Sequence, residues 1–207
     1  MDIDAELETT LRYRAKALLR KRARALRGAL PPGAAAARSE KIVETLAALP
    51  AMRGARAVAL FYPIEGRNEV DLLALDARLR AAGTRLAYPA IDPETRVMTF
   101  RFADDLATLE ERGLGFREPP PSAPEAEALD VIVVPALQID GRGHRIGYGA
   151  GFYDRALPRF APPALAVGVA FAFQLVAEVP DTAGDVPLGL VVTDDRVLDP
   201  AASEATC

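Results

Sequence analysis

Residues 131–160 read VIVVPALQIDGRGHRIGYGAGFYDRALPRF, and the architecture follows from them. Val131-Ile132-Val133-Val134 is the most apolar run of the chain and stops at a proline, as a strand buried on both faces does. Five of the fifteen glycines then fall in the eleven positions from Gly141 to Gly151, so the chain must turn there. Residues 151–160 suit a helix, and Leu165 to Val169 suits a second buried strand. Strand, loop, helix and strand in this order predict a parallel βαβ unit.

The same alternation extends to both sides. Ala57 to Tyr62 is a short apolar run closed by Pro63; a helix is expected from Asn68, as N-cap with Asp71 completing a capping box, to Gly83. Arg85 to Tyr88 suits a strand ended by Pro89, Val97 to Phe102 alternates with a period of two, and Leu190 to Thr193 suits a last strand. Pro119 to Pro124 reads as a surface loop. Two helices come first. Leu7, Leu11, Ala15, Leu18, Ala25 and Ala29 recur at helical steps over residues 5–30, and Ile42, Leu46 and Leu49 do so over 34–49. The expected fold is α/β: a single domain over residues 1–198, with a mostly parallel central sheet covered by helices and an N-terminal helical pair. The small, polar residues 199–207 are expected to form a disordered tail.

Composition removes several classes of function. With 207 residues, half of them apolar and 26% charged, the chain fits one soluble domain and is neither collagenous nor disordered. No run approaches the ~18 uncharged apolar residues of a membrane span, and the acidic opening (Asp2, Asp4, Glu6, Glu8) is unlike a secretory signal, so a cytoplasmic protein is expected. Cys207 is the single cysteine, which leaves no intramolecular disulfide and no thiolate cluster. A formal net charge of −4 speaks against a surface that grips nucleic acid throughout.

Chemistry concentrates in two places. Glycines 141–151 let backbone N–H groups turn toward an anion at the end of a parallel strand, where open α/β sheets bind ligands, and Arg142, His144, Arg145 and Arg155 add donors. The same glycines would also serve a plain strand-to-helix connection. The other place is the first helix, which holds eight Lys or Arg and no acid from Leu11 to Gly28. Lys16, Arg20 and Arg27 share one side of it, opposite the leucines, as a polyphosphate-binding face or as a solvated one. On either reading Lys16 faces away from the leucine stripe, and its removal is expected to leave stability nearly unchanged. A polyphosphate brings magnesium, which takes one or two carboxylates; Asp154 and Asp185 are the candidates, although either also suits a cap or turn.

The run Asp140 to Arg155 resembles the signature of the 5-formyltetrahydrofolate cyclo-ligases, also called 5,10-methenyltetrahydrofolate synthetases: Asp-x-x-Gly-x-Arg-(Leu/Ile)-Gly-x-Gly-x-Gly-(Tyr/Phe)-Tyr-Asp-Arg. Supporting pieces stand in family order: Lys16-x-x-Leu19-Arg20, Glu69, Met98 before Phe100, Gly113-x-Gly115 leading to Glu118-Pro119, and Asp185 ahead of Thr193. Ala150, Phe152, Gly184 and Gly189 stand where many members carry other residues.

The resemblance implies ATP- and magnesium-dependent closure of 5-formyltetrahydrofolate to 5,10-methenyltetrahydrofolate with release of ADP and phosphate. Lys16, Arg20, Arg145, Gly147, Tyr148, Gly149, Gly151, Phe152 and Tyr153 would hold ATP, with Lys16 and Arg145 as the catalytic cations. Glu69, Met98 and Tyr148 would line the folate pocket, and Asp154 and Asp185 would bind magnesium. The partners implied are ATP and a reduced folate; neither nucleic acid nor membrane is expected from the composition, and the sequence does not fix the oligomeric state, with a monomer favoured. Two rivals are a non-catalytic sugar-phosphate or nucleotide sensor and a basic-helix nucleic-acid adaptor. The joint occurrence of Lys16, Glu69, Asp154 and Asp185 stands against the first, the acidic net charge against the second.

Overall fold

In the computed structural model, which describes residues 3–31, 33–113 and 115–204, the apolar runs form the centre of a seven-stranded sheet. Helices α1 (Ile3–Gly28) and α2 (Ala34–Ala48) and the short α3 (Pro50–Arg53) precede strand β1 (Ala57–Ala59). Helix α4 (Leu73–Ala81), β2 (Arg85–Ile91) and β3 (Met98–Phe102) follow, then a small ladder of β4 (Glu110–Glu111) with β5 (Arg117–Glu118), and β6 (Val131–Pro135). Next come β7 (Gln138–Asp140), β8 (Arg145–Ile146), α5 (Phe152–Ala156), β9 (Leu165–Val169) and β10 (Leu175–Val176). The last elements are β11 (Leu190–Val192), β12 (Val197–Leu198) and α6 (Pro200–Glu204).

The sheet order is β12-β11-β9-β6-β1-β2-β3. Its five inner strands are parallel, and β3 and β12 close the edges antiparallel. Strand alternation divides the core. Val58, Val131, Val133 and Val167 pack with Ile42, Leu46 and Leu75 of α2 and α4, whereas Ala59, Ile132, Val134 and Ala166 pack on the other face with Leu157 and Phe160. Burial of each Val, Leu or Ile contributes about 1.5–3 kcal/mol, so helices on both faces are needed to cover the sheet. Among the described residues no helix is long and apolar enough to cross a membrane.

Both N-terminal helices are present, but α1 docks with the opposite face from the one its leucines predict. Leu18 is 71% exposed and Leu11 54%, whereas Lys16 is 4% and Arg27 3% exposed. Leu19 and the small Ala23 rest on Leu137, Ile146 and Val179 of the β10-β7-β8 sheet and its surroundings. The helix is drawn in by acids that meet its cations, which a hydrophobic period does not report.

Three further expectations change. β2 continues through Pro89 because β1 pairs with it only as far as Ala87; the amide of Ile91, on the same side, goes to Glu118 Oε2 (2.8 Å) and not to a strand. α4 begins at Leu73, not Asn68: Asn68 takes a left-handed φ of 47°, which Asn tolerates, and Asp71 Oδ1 accepts the Leu73 amide at 2.8 Å. In the tail, Pro200–Glu204 is helical where disorder is expected, with Asp199 Oδ1 accepting from the Ala201 amide, while 205–207 lie outside the described residues.

Candidate active site

A cavity of about 610 Å3, a size typical of small-molecule sites, opens at the C-terminal ends of the parallel strands. Phe61 and Tyr62 after β1, Pro89 in β2 and Pro135 ending β6 form its floor. The chain leaves β1 for β2 on one side and later returns to β6 on the other, so the floor lies at the switch point of the sheet. Tyr13, Lys16 and Arg20 of α1 make one wall, residues 145–155 a second, and residues 182–185 close a third. Six cations (Lys16, Arg20, Arg67, Arg117, Arg145, Arg155) but only three acids (Glu69, Asp154, Asp185) face this cavity in a protein of net charge −4. Such a concentration of cations selects an anionic ligand.

The glycine-rich stretch is two structures. Gly141 and Gly143 turn the β7–β8 hairpin, where the buried Asp140 accepts the Arg142 and His144 amides, each at 3.0 Å. Arg142 and His144 therefore stay away from the cavity, with Arg142 paired to Asp140 and Glu178. Gly147, Gly149 and Gly151 form the loop that enters α5 along the cavity wall. Gly149 has φ 106°, and a Cβ there would stand 3.2 Å from Arg20 Cζ, while Arg20 Nε donates to Gly147 O at 3.2 Å. Gly149→Ala should cost about 1–3 kcal/mol of stability, because a residue with a Cβ is strained at this φ, and it should shift the Arg20 side chain slightly. The check is the melting temperature of Gly149→Ala, which should fall by about 2–12 °C, and an unchanged value would mean that the loop absorbs the side chain.

Lys16 Nζ is bonded to Asp185 Oδ2, which also accepts from the Thr182 amide (2.6 Å) and hydroxyl (3.0 Å). Burial pushes the Asp185 carboxyl up, but Lys16 and Thr182 overcome this and hold it below the usual carboxylate range. Arg145, whose side chain is also buried, donates to Asp154 Oδ1 (2.8 Å) and Val186 O (2.7 Å). In the same cavity Tyr148 Oη donates to Glu69 Oε1 (2.7 Å), and Glu69 Oε2 accepts the Ile64 amide (2.8 Å). Burial, followed by the Glu69 charge, pushes the Tyr148 phenol up to about 12 despite the opposing Arg27. The cavity thus combines two cation–carboxylate pairs with a carboxylate–phenol pair and aromatic rings.

The model of the 5-formyltetrahydrofolate cyclo-ligase family matches residues 12–194. The chain belongs to that family. It is 30% identical to the 5-formyltetrahydrofolate cyclo-ligase of Escherichia coli over 83% of this chain and 96% of that protein. The Mycolicibacterium smegmatis cyclo-ligase is 44% identical over a shorter match, 43% of this chain and less than half (47%) of the relative. A solved structure of the Aquifex aeolicus 5,10-methenyltetrahydrofolate synthetase superposes with a TM-score of 0.78 at 31% identity, covering 89% of this chain and 92% of that one.

The residues that carry the cyclo-ligase resemblance converge from distant parts of the chain. Lys16, Arg20, Glu69, Arg145, Gly147, Tyr148, Gly149, Gly151, Phe152, Tyr153, Asp154 and Asp185 all line the cavity. Met98 does not: it pairs with Ile91 in the edge ladder and is buried in the core, where Phe152 and Tyr153 pack against the same cluster. Periodicity assigned Met98 its strand, but the side of β3 that its side chain takes is set by tertiary packing.

Several cyclo-ligase cavity residues carried no sequence signal. Phe61 and Tyr62 read only as part of an apolar run, and nothing in the pattern singles out Phe116 or Arg117, whose Cζ lies 5.3 Å from the centre of the Tyr62 ring. Only the sheet topology brings them together. For magnesium, no cluster of three or more His, Cys, Asp or Glu exists among the described residues. Asp154 and Asp185 nevertheless share the cavity, and each engages its cation through a single oxygen. Two such carboxylates fit an ion completed by water and phosphate oxygens.

Proposed function

We propose that this cyclo-ligase converts 5-formyltetrahydrofolate to 5,10-methenyltetrahydrofolate while ATP becomes ADP and phosphate, with magnesium as the metal. The observation that carries this reading is that one cavity is lined both by the Lys16–Asp185 and Arg145–Asp154 pairs and by the Glu69 carboxylate with the Tyr148 phenol. In this reading the enzyme works in the cytoplasm on dissolved ATP and folate, and the nucleic-acid and sensor alternatives have no use for the Glu69–Tyr148 pair.

Lys16, Arg20 and Arg145 meet the phosphates, and the amides of Gly147, Gly149 and Gly151 approach them without a side chain in between. The Glu69 carboxylate, to which the Tyr148 phenol donates, accepts from the N–H groups of the reduced pterin. The formyl oxygen attacks the γ-phosphorus and displaces ADP. Folate N10 then adds to the activated formyl carbon, loses its proton, and phosphate departs with the former formyl oxygen. Asp154 and Asp185 would hold magnesium, which supplies charge neutralisation to the phosphates. No protein nucleophile is needed, in keeping with a site of cations, amides and two carboxylates; such phosphoryl transfer rests on positioning and charge.

Incubation with 5-formyltetrahydrofolate, ATP and magnesium should yield methenylfolate absorbance in step with ADP and phosphate. Turnover that persists without ATP, or in excess chelator, would overturn the reading, as would no turnover at all.

A further inference from the structure

Arg27 belongs to the same face of α1 as Lys16 and Arg20 but stops behind the cavity wall. Its guanidinium is buried, and its Nε has no hydrogen-bond partner. One terminal nitrogen donates to Tyr148 Oη and stands 3.5 Å from Glu69 Oε1, with Cζ 5.7 Å from the centre of the Tyr148 ring. Its backbone carbonyl accepts from Asn68 Nδ2 at 3.1 Å, so the left-handed turn that delivers Glu69 is tied to the end of α1. Guanidinium, phenol and carboxylate therefore form one chain from behind the wall to its surface.

A buried cation with an unpaired donor is a costly way to fill space, and an apolar side chain would pack there more cheaply. The arrangement makes sense through what Arg27 holds. A carboxylate as buried as Glu69 needs a counter-charge, and among the described residues Arg27 is the cation within 4 Å of it.

We propose that Arg27 is a positioning residue for the folate end of the site, fixing the Glu69 carboxylate, together with the Tyr148 phenol that donates to it, as an acceptor toward the reduced pterin without touching substrate itself. This rests on the reading that Glu69 and Tyr148 contact folate. The contact to Tyr148 and Glu69 is made by one terminal nitrogen, so a lysine ammonium can replace part of it, unlike at a bidentate arginine site.

The test is steady-state kinetics of full-length Arg27→Met and Arg27→Lys, with Michaelis constants measured separately for 5-formyltetrahydrofolate and ATP. Arg27→Met should raise the folate constant about ten- to thirtyfold and leave that for ATP within about twofold, and Arg27→Lys should recover most of the loss. In a Glu69→Gln background, where no carboxylate needs a counter-charge, Arg27→Met should add little. Equal rises in both constants, no rescue by lysine, or full additivity with Glu69→Gln would reduce Arg27 to a structural group. Should Arg27→Met fail to fold, Arg27→Gln takes its place as the uncharged variant, since a rise confined to folate supports the proposal and a uniform or absent rise overturns it. Absence of turnover in the unmodified enzyme would instead overturn the reading on which the proposal rests.

Discussion

Lys16→Ala should raise the apparent Michaelis constant for ATP by about one to two orders of magnitude, because a charge-assisted hydrogen bond to phosphate is worth roughly 1.5–3 kcal/mol. It should also destabilise the protein, which reverses the expectation drawn from the helical period. The ammonium is buried and bonded to Asp185, and its loss leaves that carboxylate with Thr182 alone. Asp185 keeps 23% of its side chain exposed, so water softens the penalty to about 1–2 kcal/mol, or roughly 2–8 °C in Tm. The two effects separate experimentally, since ATP dependence is measured well below the melting temperature. Lys41→Ala, on the exposed face of α2, should change neither quantity. An ATP constant for Lys16→Ala equal to that of the Lys41 control would remove Lys16 from the nucleotide site, whatever its effect on Tm.

The contrast between Lys16 and the central strands explains what could be read in advance. Val131 to Val134 and Leu165 to Val169 are legible because a strand buried on both faces has no other composition, and local pattern and tertiary role agree there. In α1 they disagree. Its leucines mark one face and its cations the other, and the pattern alone names the leucine face as the buried one. The outcome depends on Asp185 and Glu69, which lie far along the chain and whose approach follows from topology. Glycines 141–151 mislead differently: a hairpin turn and a ligand loop use the same residue for the same backbone freedom, so their boundary at Arg145–Ile146 is invisible to composition. The site was legible where the family signature is dense, from Arg145 to Asp154. It was opaque on the aromatic floor, where position after a strand matters more than residue type.

Asp154→Asn should cut turnover at least about a hundredfold, the scale set by losing one charge that acts on the transferring phosphoryl group, while Tm moves little. The structure favours this split. Asp154 Oδ1 accepts from Arg145 (2.8 Å) and from the Val186 amide (3.2 Å), and an asparagine oxygen can accept from both in the same geometry. What the substitution removes is the negative charge facing the cavity. Two roles for that charge then compete: ligand to magnesium, or counter-charge that aims Arg145. They differ in a magnesium titration. If Asp154 is a ligand, the half-saturating magnesium concentration should rise in Asp154→Asn and excess metal should restore part of the rate. If it serves only Arg145, magnesium dependence should be unaltered and the loss should persist at every concentration. The proposed function requires the first outcome. Under that function the two cations and two acids, now each held by its opposite, would part to meet a metal–triphosphate, the cations taking its phosphates and the acids its metal.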